Sequence, residues 1–330
     1  MSGRTWCGPG SVGFIVQGVQ AALSMPQPRL GIWDEATSEA LCAFQAENGL
    51  PLSDCVDQET WEALPIEGAQ PPLISRIASA SAFLTGLAFA AAKVDVDGLR
   101  WGLLAFSSRS GLLFDVLELI PEEIRIKHLG REKTGRLQRI ARWDPSRRAM
   151  LGQIVRRNKG HWAKALRQLG ATEEAVTAQQ VVLCSQIWPE VVSFIQETSI
   201  VSELGYLVVF DLYCQLGSLK AWERQAAAGD EPERDRLVRL VSAGIERLQV
   251  HPVRKLISKE VALRFEQIFG GTLISPAERS ATLESFGISE LPVHPVAHEL
   301  EDESQQGELL LGVGDEEKVQ YERPLLGEVL

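Results

Sequence analysis

The stretch SAFLTGLAFAAAKVDVDGLRWGLLAF, residues 81–106, decides the fold of the larger part of this chain. An apolar, helix-forming segment ends near Gly86, an Asp-x-Asp-Gly turn follows at residues 95–98, and a second apolar run begins at Trp101. The question that this layout raises is whether Asp95 and Asp97 belong to an active site. The two aspartates are equally compatible with a turn-former and a helix cap.

The charge of the chain is distributed unevenly. Its 330 residues are enough for two domains or one large one, and 45% of them are hydrophobic, which allows a sizeable core. Residues 299–330 contain ten Asp or Glu against two Lys or Arg, a net −8. Residues 124–170 contain fourteen Lys or Arg against two Asp or Glu, a net +12. The overall charge of −11 therefore combines a basic centre with an acidic tail.

The five cysteines are odd in number, and no pair of them has the spacing of metal ligands. We predict reduced, structural thiols, and we expect neither a metal site nor a cofactor. The segment at residues 77–92 is short for a bilayer span and contains Ser, Thr and Gly, so we predict a buried helix and no membrane span.

Residues 11–64 are predicted to form three helices behind an N-terminal arm at residues 1–10. Asp34 and Asp57 are the expected N-caps of the second and third helices, because each precedes a helical pattern. The two segments that they open, DEATSEAL and DQETWEAL, share an acidic first residue, a Thr three residues later and a final Leu.

This unit resembles the peptidoglycan-binding domain family, a three-helix module found in many bacterial and phage cell-wall enzymes. The residues that carry the resemblance include Gly31-Ile32-Trp33-Asp34, Thr37, Phe44-Gln45, Gly49-Leu50, Asp57, Thr60-Trp61 and Leu64. The resemblance implies glycan contact, for which the candidates are Trp33, Asp34, Gln45 and Trp61, with Trp101 added from the larger domain. For a tryptophan in so small a unit, core packing is the alternative.

A Pro- and Gly-containing linker is predicted at residues 65–73, followed by a mainly α-helical domain at residues 74–291. The short run at residues 103–106 fits either a strand or a buried turn. Beyond the helical domain, residues 292–330 are acidic and lack periodicity, so we expect a flexible tail, or one that is ordered only on a partner.

The larger domain resembles the lysozyme-like, chitosanase-related hydrolase domains. In that family the first helix ends in Phe-Glu-Thr-Gly, an Asp-x-Asp-Gly turn follows, and a later helix reads roughly Leu-Phe-Asp-x-x-x-Gln-x-Gly. The matching segments here are Phe83–Gly86, Val94–Gly98, Trp101–Phe106 and Gly205–Ser218. The family's acid falls on Leu84, and Asp211 keeps the aspartate of the later helix, for which we expect a structural role.

Glycoside hydrolysis needs a proton donor and a second carboxylate, roughly 5–9.5 Å apart. Leu84 has no proton to give, so Asp95 and Asp97 are residual candidates for half of a mechanism. A relocated acid could come from Asp115 or Glu118, which share a helical face, although a solvated face is the favoured explanation of that pair. We therefore predict a lysozyme-like domain that has lost catalysis.

The basic segment predicts an anionic partner, with solvated helix faces as the alternative. Teichoic acid, a phosphate-bearing glycan and the acidic tail of this chain are the candidate partners. Nucleic acid ranks lowest, because no nucleic-acid-binding motif accompanies the charge. The candidate patch consists of Arg136, Arg139, Arg147, Arg148, Arg156 and Arg157.

Together these features predict a cell-wall binding protein whose partner is peptidoglycan or a related glycan. The first ten residues lack the apolar core of a signal peptide, so we expect synthesis in the cytoplasm without general secretory export. Action at the cell wall or periplasm then fits a phage tail or contractile-injection-system component that docks through its acidic tail. The alternatives are an active peptidoglycan- or chitosan-type hydrolase and a protein-binding scaffold.

Overall fold

A computed structural model describes residues 5–25, 30–157 and 159–290, and these are mainly α-helical, as predicted. The acidic tail lies outside the described residues. The N-terminal unit contains two short strands and three helices: β1 (Thr5–Cys7), α1 (Phe14–Ala22), α2 (Glu35–Glu47), β2 (Val56–Asp57) and α3 (Gln58–Ala63).

The first half of the larger domain carries a small sheet among its helices. Its elements are α4 (Leu73–Thr85), β3 (Ala92–Asp95), β4 (Gly98–Trp101), β5 (Phe106–Ser107), α5 (Leu112–Leu119), α6 (Glu122–Leu129), α7 (Arg131–Ala141), α8 (Pro145–Ala149) and α9 (Leu151–Arg157). The second half consists of longer helices and one hairpin. Its elements are α10 (Lys159–Gly170), α11 (Glu173–Val182), α12 (Trp188–Thr198), α13 (Glu203–Leu216), α14 (Ala221–Ala227), α15 (Glu233–Val250), α16 (Ser258–Phe269), β6 (Thr272–Ile274) and β7 (Ser280–Thr282).

The predicted helix caps of the N-terminal unit are confirmed. The Asp34 carboxylate accepts a hydrogen bond from the Thr37 amide at 3.0 Å, and Asp57 accepts one from the Thr60 amide at 2.9 Å. Each aspartate thereby satisfies a backbone donor that the first turn of a helix leaves free. The repeated Asp-to-Thr spacing in the sequence is thus the signature of two capped helices.

The N-terminal unit packs on the larger domain and includes part of the predicted arm. β1 pairs with β2, and Trp6 is buried in the core of the unit. The Phe14 and Phe89 rings meet edge to face with centroids 5.2 Å apart, which joins α1 to the loop after α4. The predicted linker is attached to α3, because its Gly68 carbonyl accepts a hydrogen bond from Trp61 Nε1 at 3.0 Å.

A π-helical turn at Leu183–Ile187 joins α11 to α12. Pro189 stands in the first turn of α12. A proline inside a helix removes one backbone hydrogen bond and collides with the carbonyl four residues earlier. The wider π turn just before Pro189 accommodates the proline ring and the missing hydrogen bond, so α11 continues into α12 without a break.

The small antiparallel sheet of β3, β4 and β5 was not foreseen, and it makes the Asp-x-Asp-Gly turn a hairpin. Asp95 pairs with Gly98 across the turn. Gly98 has a φ of +94°, and a Cβ there would lie 2.4 Å from Ser108 Oγ and 2.6 Å from the Ala149 carbonyl. Glycine is therefore required at this position. The run at residues 103–106 is a turn that ends in β5.

The segment at residues 77–92 is helical only as far as Thr85, and α4 is buried in the core as predicted. Within the described ranges, no helix combines the length and apolarity needed to cross a bilayer.

Candidate functional site

A cleft of about 280 Å³ lies where α4, the β3–β4 hairpin, α13 and α16 meet. Leu84 at the end of α4, Asp95 at the end of β3 and Gln215 at the end of α13 all line it. These residues come from three of the four sequence segments that resemble the hydrolase family, and Ala105 of the remaining segment lines the cleft as well. The fold therefore brings segments that are far apart in the chain to a single cavity.

Leu84 gives the cleft an apolar wall where the family resemblance requires an acid. Its side chain is nearly buried, and Leu87, Ile257 and Val261 line the same cavity. A hydrocarbon side chain in this position can pack against a ligand and cannot donate a proton to it.

Asp97 does not line the cleft, and three arginines surround its carboxylate. Only 2% of its side chain is exposed. Arg100 Nη2 lies 2.7 Å from Asp97 Oδ2, while Arg109 Nε and Arg254 Nε lie 3.1 Å and 2.9 Å from Oδ1. A buried carboxylate with this many cationic partners is closed to substrate, and its loss would leave buried positive charge uncompensated. We call Asp97 and these three arginines the Asp97 cluster.

Asp95 lines the cleft and is already engaged on both carboxylate oxygens. Oδ1 accepts the Asp97 amide at 2.8 Å, which fixes the turn, and Oδ2 lies 2.8 Å from Arg100 Nε. Both predicted catalytic aspartates thus have structural contacts, and Arg100 joins them.

Arg254 ties the hairpin to the end of α13. Its guanidinium donates to the backbone carbonyls of Gln215 and Leu216, the latter at 3.3 Å. The carbonyl end of a helix carries partial negative charge, which stabilises a cation there. Burial lowers the pKa of Arg254, and the neighbouring Asp97 carboxylate opposes that shift. Arg109 and Arg254 were not found from the sequence, because neither belongs to a motif.

Asp211 has the structural role that was expected. Its Oδ1 accepts a hydrogen bond from Ser81 Oγ at 2.7 Å, and its Oδ2 accepts one from Arg264 Nε at 2.5 Å. Arg264 Nη2 also donates to the Ser81 carbonyl at 2.9 Å. This triad joins α13, α16 and α4 beside the cleft.

Glu260 is a cleft residue that the sequence analysis missed. It lines the same cavity as Asp95, is 68% exposed, and lies 3.3 Å from Lys93 Nζ. Its sequence context, SKEVALRFEQIF, is an ordinary amphipathic helix without a motif. Asp95 and Glu260 are the carboxylates among the described residues that line the cleft, and each is paired with a cation.

Asp115 and Glu118, the predicted alternatives for the acid, lie on α5 and do not line the cleft. Burial raises the pKa of Asp115, the Glu118 carboxylate raises it further, and Arg148 opposes the shift. The raised pKa of Asp115 therefore has local causes on and around α5 and does not place an acid in the cleft.

Four of the five residues that were predicted to contact a glycan are buried, so their side chains offer almost no surface to a sugar ring. Trp33, Trp61, Trp101 and Gln45 are each at most 6% exposed. The indole N–H groups donate to Ser38 Oγ, the Gly68 carbonyl and the Leu166 carbonyl, respectively. Gln45 Nε2 donates to Ser53 Oγ at 3.0 Å and to Thr60 Oγ1 at 3.2 Å. Core packing, the alternative given for the tryptophans, accounts for their burial. Asp34 is a helix cap.

Two of the six residues of the predicted basic patch line a common groove. Arg136 and Arg139 on α7 line a groove of about 500 Å³ together with Ile140, Arg142, Trp143 and Ile154, which we call the arginine groove. The other predicted members do not line it. Arg147 pairs with Asp144, Arg148 donates to the Ser110 carbonyl, Arg156 donates to the Val94 carbonyl, and Arg157 is exposed on α9.

The comparisons with known proteins identify similar structures only. No protein-family model matches the sequence, and no curated protein matches it. The native chitosanase from Bacillus subtilis MY002 is 14% identical, with a TM-score of 0.43 over 64% of this chain and 96% of that chain. A mutant chitosanase from Bacillus subtilis MY002, complexed with 6 GlcN, is 14% identical, with a TM-score of 0.42 over 64% and 95% of the two chains. Neither structure is described as a peptidoglycan-binding domain, and that resemblance stays a prediction.

Proposed function

We propose that this protein binds a cell-wall glycan in the cleft and does not cleave it. The convergence of Leu84, Asp95 and Gln215 on one cavity supports this proposal most strongly, because each comes from a different segment of the family pattern. A volume of about 280 Å³ is close to the lower end of small-ligand sites, which run from roughly 300 Å³ upward.

The loss of catalysis rests on the chemistry of the cleft wall. Hydrolysis needs one carboxyl group that holds a proton and a second that acts as base or nucleophile. Leu84 offers neither, and the Asp95 carboxylate is engaged with Arg100. A ligand in this cleft would meet apolar contacts and paired charges.

We propose further that the ligand is peptidoglycan and that residues 11–64 bind it. We also propose that the protein is a component of a phage tail or contractile injection machine. The sequence resemblance and the two capped helices of the N-terminal unit support them. A protein-binding scaffold is the remaining alternative.

Co-sedimentation with purified peptidoglycan sacculi tests the proposal. The full chain should pellet with the sacculi, and Leu263→Ala should weaken binding several-fold, because Leu263 is 55% exposed and lines the cleft. Val238→Ala is the matched control, since Val238 is 46% exposed on α15 and does not line the cleft. No pelleting would refute peptidoglycan as the ligand and favour the scaffold, and equal losses in both variants would refute the cleft as the binding site.

An active hydrolase is a second candidate, because Glu260 shares the cleft with Asp95. Glu260 would have to act as the acid in place of the residue at position 84. Against this role, the Glu260 carboxylate is 68% exposed and lies 3.3 Å from Lys93 Nζ, which a leaving-group oxygen would have to displace. The decisive assay is hydrolysis by the unmodified protein compared with Glu260→Gln.

A further inference from the structure

The arginine groove shares no lining residue with the cleft, and its charged side chains have no described acidic partner. Arg136, Arg139 and Arg142 line one cavity of about 500 Å³. No salt bridge or side-chain hydrogen bond joins any of the three to another described residue. With no described acidic partner, the three guanidinium groups give the groove an excess of positive charge that an anion would balance.

The same groove has an apolar side. Ile140 and Ile154 line it, and Trp143 contributes an indole that is 39% exposed. An exposed indole beside aliphatic side chains favours a partner that brings apolar groups along with its negative charge. A simple polyanion would satisfy the arginines and leave this side in contact with water.

The chain itself contains a segment of matching chemistry. Residues 299–317, ELEDESQQGELLLGVGDEE, contain eight acidic residues, no Lys or Arg, and the aliphatic run Leu309-Leu310-Leu311. Acidic groups on both sides of an aliphatic run complement arginines that lie beside an apolar surface.

The chain is also long enough to reach the groove. Leu309 lies nineteen positions after Glu290, the last described residue. An extended chain of this length spans about 60 Å, against a radius of gyration of about 19 Å for a folded chain of this size. A tethered segment meets its site at an effective concentration in the millimolar range, so weak contacts suffice.

We propose that the arginine groove is the docking site for residues 299–317 of the same chain. The acidic side chains pair with Arg136, Arg139 and Arg142, and the leucine run covers Trp143 and the two isoleucines. External polyanions then compete with the tail for the groove.

Photo-crosslinking in the full-length protein tests this assignment. Trp143 is replaced by benzoylphenylalanine, and the control protein carries the same replacement at Trp222, which is 43% exposed on α14. Position 143 should capture peptides from residues 299–317, and position 222 should not. The yield at 143 should fall several-fold between about 0.05 M and about 0.5 M salt, because exposed ion pairs are screened. Adding R136Q/R139Q/R142Q to the protein that carries the crosslinker at position 143 should lower the crosslink yield by a similar factor.

The proposal would be overturned by equal capture from both positions or by capture of other segments. It would also be overturned if the crosslink yield changed neither with salt nor with the arginine substitutions. Mixing isotopically light and heavy protein separates capture within one chain from capture between copies. Crosslinks found chiefly between light and heavy chains would also overturn it.

A binding measurement gives an independent check. Linear inorganic polyphosphate is titrated into the full chain and into the tail variant D315N/E316Q/E317Q combined with E301Q/D302N/E303Q. Removing six tail charges should strengthen polyphosphate binding by on the order of tenfold, because the competitor is weakened. The gain should vanish when R136Q/R139Q/R142Q is added. Unchanged affinity in the tail variant would contradict docking at the groove.

Discussion

The Asp97 cluster and the arginine groove each contain three arginines, and the two regions use them in opposite ways. In the cluster, Arg100, Arg109 and Arg254 are held against one buried carboxylate. In the groove, the arginines face a cavity and make no ion pair with a described residue. Partners and burial, rather than residue type, decide whether an arginine stabilises the fold or remains available for recognition.

The largest effect should come from Asp97→Asn. The substitution leaves buried arginines without a full negative charge, and removing one partner of a buried ion pair costs about 3–5 kcal/mol. Urea denaturation of the purified variant measures the loss of unfolding free energy. Asp144→Asn is the matched control, because Asp144 is 54% exposed in its pair with Arg147 and exposed pairs contribute at most about 1 kcal/mol. Equal losses in the two variants would remove the distinction between a buried and an exposed site.

Arg254→Gln should have an intermediate effect. It removes one cation from the cluster and leaves the Gln215 and Leu216 carbonyls at the end of α13 without their donor. Hydrogen bonds to charged groups contribute about 1.5–3 kcal/mol, so a loss in that range is expected by the same denaturation assay. A loss as large as that of Asp97→Asn would contradict a cluster in which Arg100 and Arg109 still balance Asp97.

Asp115→Asn should be mildly stabilising at neutral pH, by about 0.5 kcal/mol. Because burial raises the pKa of Asp115, the folded state favours its protonated form. That contribution is present at low pH and is lost as the pH rises through the raised pKa. Denaturation curves at pH 7 and near pH 3 should therefore show the advantage of asparagine at pH 7 only. A variant that is less stable at pH 7 would contradict this assignment.

The smallest effect on stability should come from R136Q/R139Q/R142Q. These side chains support no described partner, so the unfolding free energy should change by no more than about 0.5 kcal/mol. Thermal unfolding followed by circular dichroism checks this expectation. A loss of several kcal/mol would show that the groove arginines are structural, like those of the Asp97 cluster.

Local chemistry made much of the fold predictable. The caps at Asp34 and Asp57 depend only on residues three positions away, and the buried helix before Gly86 follows from its apolar composition. The family resemblance singled out Leu84 and Asp95, and the structure adds Gln215 to the same cavity.

Partners that are distant in sequence were the unpredictable part. Arg254 reaches Asp97 across 157 positions, and Glu260 enters the cleft from a helix that carries no motif. The tryptophans could not be assigned either, since an indole suits a sugar ring and a small core equally, and only the packing of Trp33 and Trp61 separates these uses.

Release of new reducing ends from purified peptidoglycan, measured over a long incubation with the unmodified protein, tests the central claim most directly. With Leu84 in the place of the acid and the cleft carboxylates paired, release should not exceed that of a protein-free control. Release that Glu260→Gln lowers by on the order of 10²- to 10⁴-fold, the usual contribution of a general acid, would contradict the claim and identify a working hydrolase.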